Sequence, residues 1–392
     1  MNYASAIARK PQNVHQKTDL LKLLPFALVA FAVLILPAAA HAQDDDCRQP
    51  VAVCAARLAV FAISAFDPVG SAVRIGETQL VTARHVVADR QSAELFLQDG
   101  SKIEARVVPS DYKADIILLS APDLPPGPVL QAVDAQEDSK LFTVGADVRL
   151  QRIRAYDPGG VTLLPAEDKA LARLHHTAHS QPGNSGGALV DQDGRLIGIV
   201  AAGGEGRHEA VPSADLATLK DRSGPEHEAV SAEIGAAVRI CTLQLENLRG
   251  RRGALDEQQI KALTTACRRS GNRQLYDLAG QAFGIRRMTD ESLALFLESI
   301  EQDPHALNSR IGLAITYHMA LRYEEELPHL HFLMQHAPKD PQVLRFAIQA
   351  GVWGNDLEIA QLALKRLKEV DPRAALAAEH FMKEPPPRPQ PR

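Results

Sequence analysis

The chain has 392 residues, enough for two or three domains, each with its own core. Its 43 Lys plus Arg stand against 48 Asp plus Glu, a formal net charge of −5, which excludes a general nucleic-acid binder with its basic footprint.

Residues 1–42 predict an export signal. Arg9, Lys10, Lys17 and Lys22 precede the apolar run LLPFALVAFAVLIL, and Ala40-His41-Ala42 is an A-x-A cleavage site. Small residues and Pro37 sit where a membrane anchor would continue, so cleavage after Ala42 leaves no stable membrane span. The mature chain is then expected in the periplasm or secreted. In such an oxidising space the four cysteines allow three pairings. The two local pairs, Cys47 with Cys54 and Cys241 with Cys267, are expected, and neither has zinc-like spacing.

Residues 43–222 read as a first domain, β-rich from about Ala55 to Asp221. RLAVFAIS, GSAVRIG, TQLVTARHV, AELFLQDGSKIEARVV, DIILLSA, KLFTVG, GGVTLLP and ALVDQDGRLIGIV all predict strands. Asp99-Gly100 and Asp193-Gly194 are hairpin dipeptides, and many short strands with regular turns argue for a sandwich or barrel over a parallel sheet.

After SGPEHE the period changes. Val230, Ile234, Val238, Cys241, Leu245 and Leu248 fall at helical steps, and Asp256 with Gln259 opens a second helix as a capping box. Residues 223–272 are therefore expected to form a disulfide-linked helical hairpin. Over 273–374, Pro304, Pro338 and Pro372 recur every 34 residues, the period of tetratricopeptide (TPR) repeats. Small residues fall at the helix-contact position in Gly280 and Ala314, while Glu326 departs from the consensus. Three degenerate TPR-like repeats are expected, followed over 375–392 by a helix end and a Pro-rich tail, KEPPPRPQPR, extended and mobile.

The stretch HSQPGNSGGALV carries the chemistry. Gly183-Asn184-Ser185-Gly186-Gly187 fits the nucleophile-elbow pattern, but that architecture needs a helix after the serine. Here a strand, a turn and a strand follow, which favours the double β-barrel arrangement with partners upstream in the order His, Asp, Ser. LVTARHVV supplies His85 and ADIILLSA supplies Asp115, with Asp111 a rival that does not abut the apolar strand.

On TARHVV, ADIILL, GNSGGALVDQDGRLIGI and EAVPSADL, residues 55–222 resemble the trypsin-like serine proteases, in particular the HtrA or Deg type. The resemblance implies an all-β chymotrypsin-like double barrel, here followed by an all-α TPR-like domain where Deg proteases carry PDZ domains. It implies catalysis by His85, Asp115 and Ser185, an oxyanion hole from the N–H groups of Gly183 and Ser185, and no cofactor. His179, six residues before the serine, would floor the primary specificity pocket, with Val200, Ala201 and Ala202 as small apolar walls. An aliphatic P1 residue is expected; the His179 N–H would alternatively take an acidic or amide P1, and no counter-charge favours Lys or Arg.

His175, His176 and His179 lack a carboxylate or cysteine at ligand spacing, so no metal is expected. The expected function is an exported serine endopeptidase acting on peptides or unfolded proteins, with a protein partner held by the TPR-like repeats and no nucleic acid. The alternative is a catalytically weak, protease-like adaptor. Because the helices supply no catalytic residue, truncation after about Gly224 is expected to spare cleavage of short peptides.

Overall fold

The computed structural model describes residues 47–390 apart from 150, 205 and 252, and the side chain of Ala202 is likewise outside the description. The expected export signal lies outside the described residues.

A short helix α1 (Val51–Ala56) leads into six strands: β1 (Val60–Ser64), β2 (Gly70–Arg74), β3 (Gln79–Thr82), β4 (Ser92–Phe96), β5 (Lys102–Val107) and β6 (Ile117–Ser120). A single turn, α2 (Arg84–Val87), interrupts them after β3. These strands close a barrel in the order β1-β2-β3-β6-β5-β4. The second set is β7 (Lys140–Asp147), β8 (Arg152–Ala155), β9 (Gly159–Leu163), β10 (Leu174–His176), β11 (Ala188–Val190), β12 (Leu196–Gly204) and β13 (Arg207–Pro212). It runs β11-β12-β13-β10-β9-β7 and pairs β7 back to β11, with β8 added on β7. The molecule is thus a chymotrypsin-like double barrel.

Alternation along the strands sorts their side chains into three cores. Leu80, Leu95, Ile117 and Leu119 fill the first barrel, and Leu141, Leu174, Leu189 and Ile197 the second. Their neighbours Val81, Ile116, Leu118, Val144, Val190 and Ile199 point the other way and join the two barrels. Both Asp-Gly turns form, with Gly100 at φ +84 and Gly194 at φ +75. Sequence periodicity misses β8, whose Arg-Ile-Arg-Ala carries little apolar signal, β10, which has three residues, and β13, whose Arg-His-Glu start breaks the apolar pattern.

Helix α3 (Asp215–Asp221) ends the barrels, and α4 (Glu228–Leu248) and α5 (Glu257–Ser270) form the hairpin. The Asp256 and Gln259 capping box is present on α5. Val230 is exposed, against expectation; the buried face of α4 instead includes Ser231, Ile234, Gly235, Val238 and Cys241. The reason is tertiary. Gly235 lies against the backbone of Ala88 and Asp89, so close that a Cβ would collide with Ala88 O, and Arg239 pairs with Asp89 at 2.6 Å.

Both cysteine pairs are bonded, Cys47 to Cys54 and Cys241 to Cys267. Closing the latter loop, with its separation of 26 residues, should stabilise the hairpin by about 3.5 kcal/mol in the chain-entropy model. Mass mapping of a non-reduced digest should recover Cys241 and Cys267 in one linked peptide, and Cys267→Ser should lower the urea midpoint. Free thiols at both positions would refute the bond.

Three further helical pairs follow: α6 (Arg273–Ile285) with α7 (Thr289–Gln302), α8 (Leu307–Met319) with α9 (Tyr323–His336), and α10 (Pro341–Trp353) with α11 (Leu357–Val370), closed by α12 (Pro372–Lys383). Each pair begins 34 residues after the last, at 273, 307 and 341. Glu326, the outlier of the repeat pattern, is buried and bonded to His318 Nδ1 at 2.9 Å. A polar pair inside the stack replaces the apolar contact there. The described part of the tail is not free: Trp353 Nε1 donates to Pro386 O at 3.2 Å, and Arg388 Nη2 donates to Glu324 Oε2 at 2.9 Å.

Among the described residues no helix is long and apolar enough to cross a membrane. Described residues on both sides of Ser223 belong to one compact unit. The helices therefore pack against the barrels and do not hang from a linker.

Candidate active site

The seam between the barrels brings together His85, Asp115 and the Ser185 loop. His85 sits on the turn α2 that directly follows β3, and Asp115 immediately precedes the apolar run into β6. Because β3 pairs with β6, Thr82 opposite Ile117, the two side chains arrive at one end of the same strand pair. His85 Nδ1 donates to Asp115 Oδ2 at 2.7 Å, and the His85 backbone N–H donates to Asp115 Oδ1 at 3.0 Å. Both carboxylate oxygens are engaged, and Asp115 is 3% exposed.

Burial alone would push the His85 imidazole to a lower pKa, but the charge and hydrogen bond of Asp115, with Asp67 beyond, outweigh it despite Arg173; the net shift is upward. Burial would raise the Asp115 carboxyl, yet His85 and then Arg173 hold it below its ordinary value. The rival Asp111 turns outward to Arg222, 2.9 Å away.

Ser185 reaches the seam through its backbone. Ser71 N–H on β2 donates to Ser185 O at 2.8 Å, and Ser71 Oγ donates to Gly183 O at 2.7 Å. Gly186, at φ +81, is wedged so tightly that a Cβ would collide with Ser71 O and Thr82 Oγ1, and it lies against Ala83 N, two residues before His85. Gly183, at φ +97, lies against Ala146 O and Val148. Buried Asn184 ties the loop, donating to Ala146 O at 3.1 Å and accepting from Gln181 N–H at 2.8 Å. Among the described residues the N–H groups of Gly183 and Ser185 donate to no backbone carbonyl, while those of Asn184, Gly186 and Gly187 all do.

The specificity residues depart from expectation. His179 is exposed, its ring 5.7 Å from that of Tyr156, so it is not the buried donor foreseen. Val200 and Ala201 are 3% and 2% exposed and packed into the flanking cores, so the small apolar wall is not an open surface there. Their strand is used to brace the serine loop, since Gly186 N–H donates to Val200 O at 2.8 Å. Behind His179 stand two histidines: His208, which sequence reading passed over, and His176, with ring centroids 5.8 Å apart. Burial with the charges of His208 and His175 holds His176 down to about 3, and burial with the charges of His179 and Arg207 holds His208 down to about 4, so both rings are neutral. Among the described residues no group of three His, Cys, Asp or Glu side chains is placed to hold a metal ion.

Sequence reading also missed Arg84, Arg173 and Glu209. Arg84 is buried beside His85, and its guanidinium donates to Ser110 O at 3.0 Å and Tyr112 O at 3.1 Å, pinning the segment that leads to Asp115. Arg173 Nη2 stands 3.9 Å from Asp115 Oδ2 and its Nη1 donates to Glu209 at 3.2 Å. The one available signal was an acid inside an apolar strand, Glu209 beside Ala210-Val211.

Residues 70–199 match the family of the trypsin-like peptidase domain. Over 128 residues the chain is 32% identical to a protein named mitochondrial serine protease HTRA2 of Bos taurus, covering 31% of this chain and 28% of that one. Over 173 residues it is 29% identical to the periplasmic pH-dependent serine endoprotease DegQ of Escherichia coli, covering 39% of this chain and 37% of that one. The chain thus spans less than half the length of these relatives. Among solved structures, Rv3671c protease in an inactive form aligns with TM-score 0.39 and 22% identity over 45% of this chain and 98% of that one.

Proposed function

We propose that this chain, whose residues 70–199 form a trypsin-like peptidase domain, is an exported serine endopeptidase that hydrolyses peptide bonds of peptides or unfolded proteins. The observation that carries the reading is the half-buried His85 held by buried Asp115 at 2.7 Å, with the Ser185 loop clamped onto the same strand end.

In this reading His85 Nε2 takes the Ser185 hydroxyl proton as Oγ bonds to the scissile carbonyl carbon, and Asp115 holds Nδ1–H, fixing the tautomer and stabilising the imidazolium. The unspent N–H groups of Gly183 and Ser185 receive the oxyanion. The proton then passes from His85 to the leaving amine, and water, activated by the same base, releases the acyl group from Ser185. For P1, an aliphatic side chain is the first reading, and an acidic or amide side chain met by the ring N–H of exposed His179 is the alternative. Export and a periplasmic or secreted location follow from the leader sequence and are supported by the two disulfides, which persist in oxidising compartments. The TPR-like stack takes the role of a protein-binding surface.

A fluorophosphonate probe tests the reading directly: it should modify Ser185, found by peptide mapping, and leave His85→Ala unlabelled. Turnover should also report the base. Only neutral imidazole accepts a proton, and the His85 pKa is raised above the ordinary 6.5. Hence kcat/KM should fall as pH drops, along an acid limb with a midpoint above 6.5. A kcat/KM profile with no acid limb would remove His85 as the base.

A further inference from the structure

The buried charges behind Asp115 do not end in the barrels. Arg173, 3.9 Å from Asp115 Oδ2, donates through Nη1 to Glu209 on β13 at 3.2 Å. Glu209 in turn accepts from Arg273, the first residue of α6, whose Nη1 lies 3.4 Å from Oε1 and whose Nη2 pairs with Oε2. Arg273 Nη2 also stands 3.2 Å from Asp303 Oδ2, in the loop after α7. Asp303 Oδ2 returns to the barrel, accepting from His175 Nε2 at 3.0 Å and from Arg173 N–H at 3.3 Å.

Every member is nearly sealed: Arg173, Glu209, Arg273 and Asp303 are 4%, 2%, 3% and 0% exposed. Unpaired charges at such depth would be prohibitive, so the members hold one another in place. Two guanidiniums serve the carboxylates of Asp115, Glu209 and Asp303, with buried Asp277 also facing Arg273, and each arginine is shared. A change in what Arg273 takes must alter what Arg173 can give to Asp115.

We infer that Arg273 and Asp303 of the helical region are positioning residues for the catalytic pair, acting through Glu209 and Arg173 on Asp115 and His85. The inference rests on the protease reading only for its effect on turnover; its effect on His85 stands apart from it. The charged groups that face His85 are Asp115, Asp67 and Arg173, and of these Arg173 alone is held by the helices.

The direction of each substitution follows from the sharing. With Arg273→Met, Glu209 draws both arms of Arg173 to itself. Arg173 leaves Asp115, its depressing influence on the imidazole is lost, and the His85 pKa rises. With Asp303→Asn, near in shape, Arg273 loses one carboxylate, keeps Glu209 and Asp277, and closes more tightly on Glu209. Arg173 is released toward Asp115, and the His85 pKa falls. Each displacement should be on the order of half to one pH unit. In the active enzyme kcat should drop roughly ten- to a hundred-fold for Arg273→Met with little change in KM, because the base is misplaced while the substrate cleft is untouched.

The experiment titrates the His85 ring protons by NMR in a Ser185→Ala background, assigned by loss of the signal in His85→Ala. The same variants with Ser185 restored are assayed for the acid limb of kcat/KM on a peptide. Opposite displacements, upward for Arg273→Met and downward for Asp303→Asn, support the relay. Equal or absent displacements in folded variants overturn it, since general loosening would not separate the two signs. If Arg273→Met does not fold, the isosteric Asp303→Asn alone decides by its downward shift. Displaced titrations without turnover in any form would leave the relay standing and reject the protease reading, whereas turnover with unmoved titrations would do the reverse.

Discussion

Replacing Ser185 or His85 by Ala should lower kcat by on the order of a million-fold, as it does where three residues act as one unit. The hydroxyl is a weak nucleophile without the base, and the base has nothing to activate without the hydroxyl, so either loss removes the same step. Asp115→Asn should cost less, about ten thousand-fold, because serine and imidazole remain and only the tautomer and the stabilised imidazolium are lost. The Ser185 variant should keep its fold. Its loop is held by backbone bonds from Ser71 to Ser185 O and by the Asn184 side chain, and none of these uses Oγ. Steady-state kinetics on a quenched peptide, with thermal melts as the control, measure both. Unchanged turnover in Ser185→Ala would end the enzyme reading.

Deleting the helices from residue 225 onward should abolish cleavage even of a short peptide, contrary to what a chain of independent modules would do. The deletion uncovers the site from two sides. Arg84, beside His85, loses its bond to Ser231 at 3.4 Å, and the backbone of Ala88 and Asp89 loses the close cover of Gly235. On the other side Glu209 and His175 lose Arg273 and Asp303. Breaking one buried ion pair costs about 3 to 5 kcal/mol, against a whole-domain stability of roughly 5 to 15 kcal/mol. Two such losses and an exposed apolar face therefore consume most of it. Expression of residues 43–224, with circular dichroism and the peptide assay, checks this. A soluble, folded truncate with full activity on short peptides would show that the helices are dispensable for catalysis.

Much of the architecture is legible because it is encoded locally. Alternating apolar residues mark strands by their two-residue period, Asp99-Gly100 and Asp193-Gly194 mark turns by needing positive φ, and prolines spaced by 34 mark the helical pairs. The cysteine pairs are near in sequence, so chain proximity alone selects them. His85, Asp115 and Ser185 announce themselves by chain order and by the glycines that must let backbone pass close by.

What the tertiary structure alone decided is how the buried charges behind Asp115 are paired. Glu209 meets Arg273, which is 64 residues away, and Asp303 meets His175 across 128. No periodicity links such residues. Each buried charge is tolerable only because its counter-charge arrives by folding, so the pairing exists in three dimensions and leaves no local trace. The same cause moved Val230 outward, since the face of α4 was chosen by its docking on Ala88 and not by its own apolar spacing. It also drew Val200 and Ala201 into the barrel cores and left His179 exposed. Local physics wrote the elements and the His85, Asp115 and Ser185 pattern into the chain; desolvation, which counts only contacts between distant parts, bound the helices to the buried charges behind Asp115.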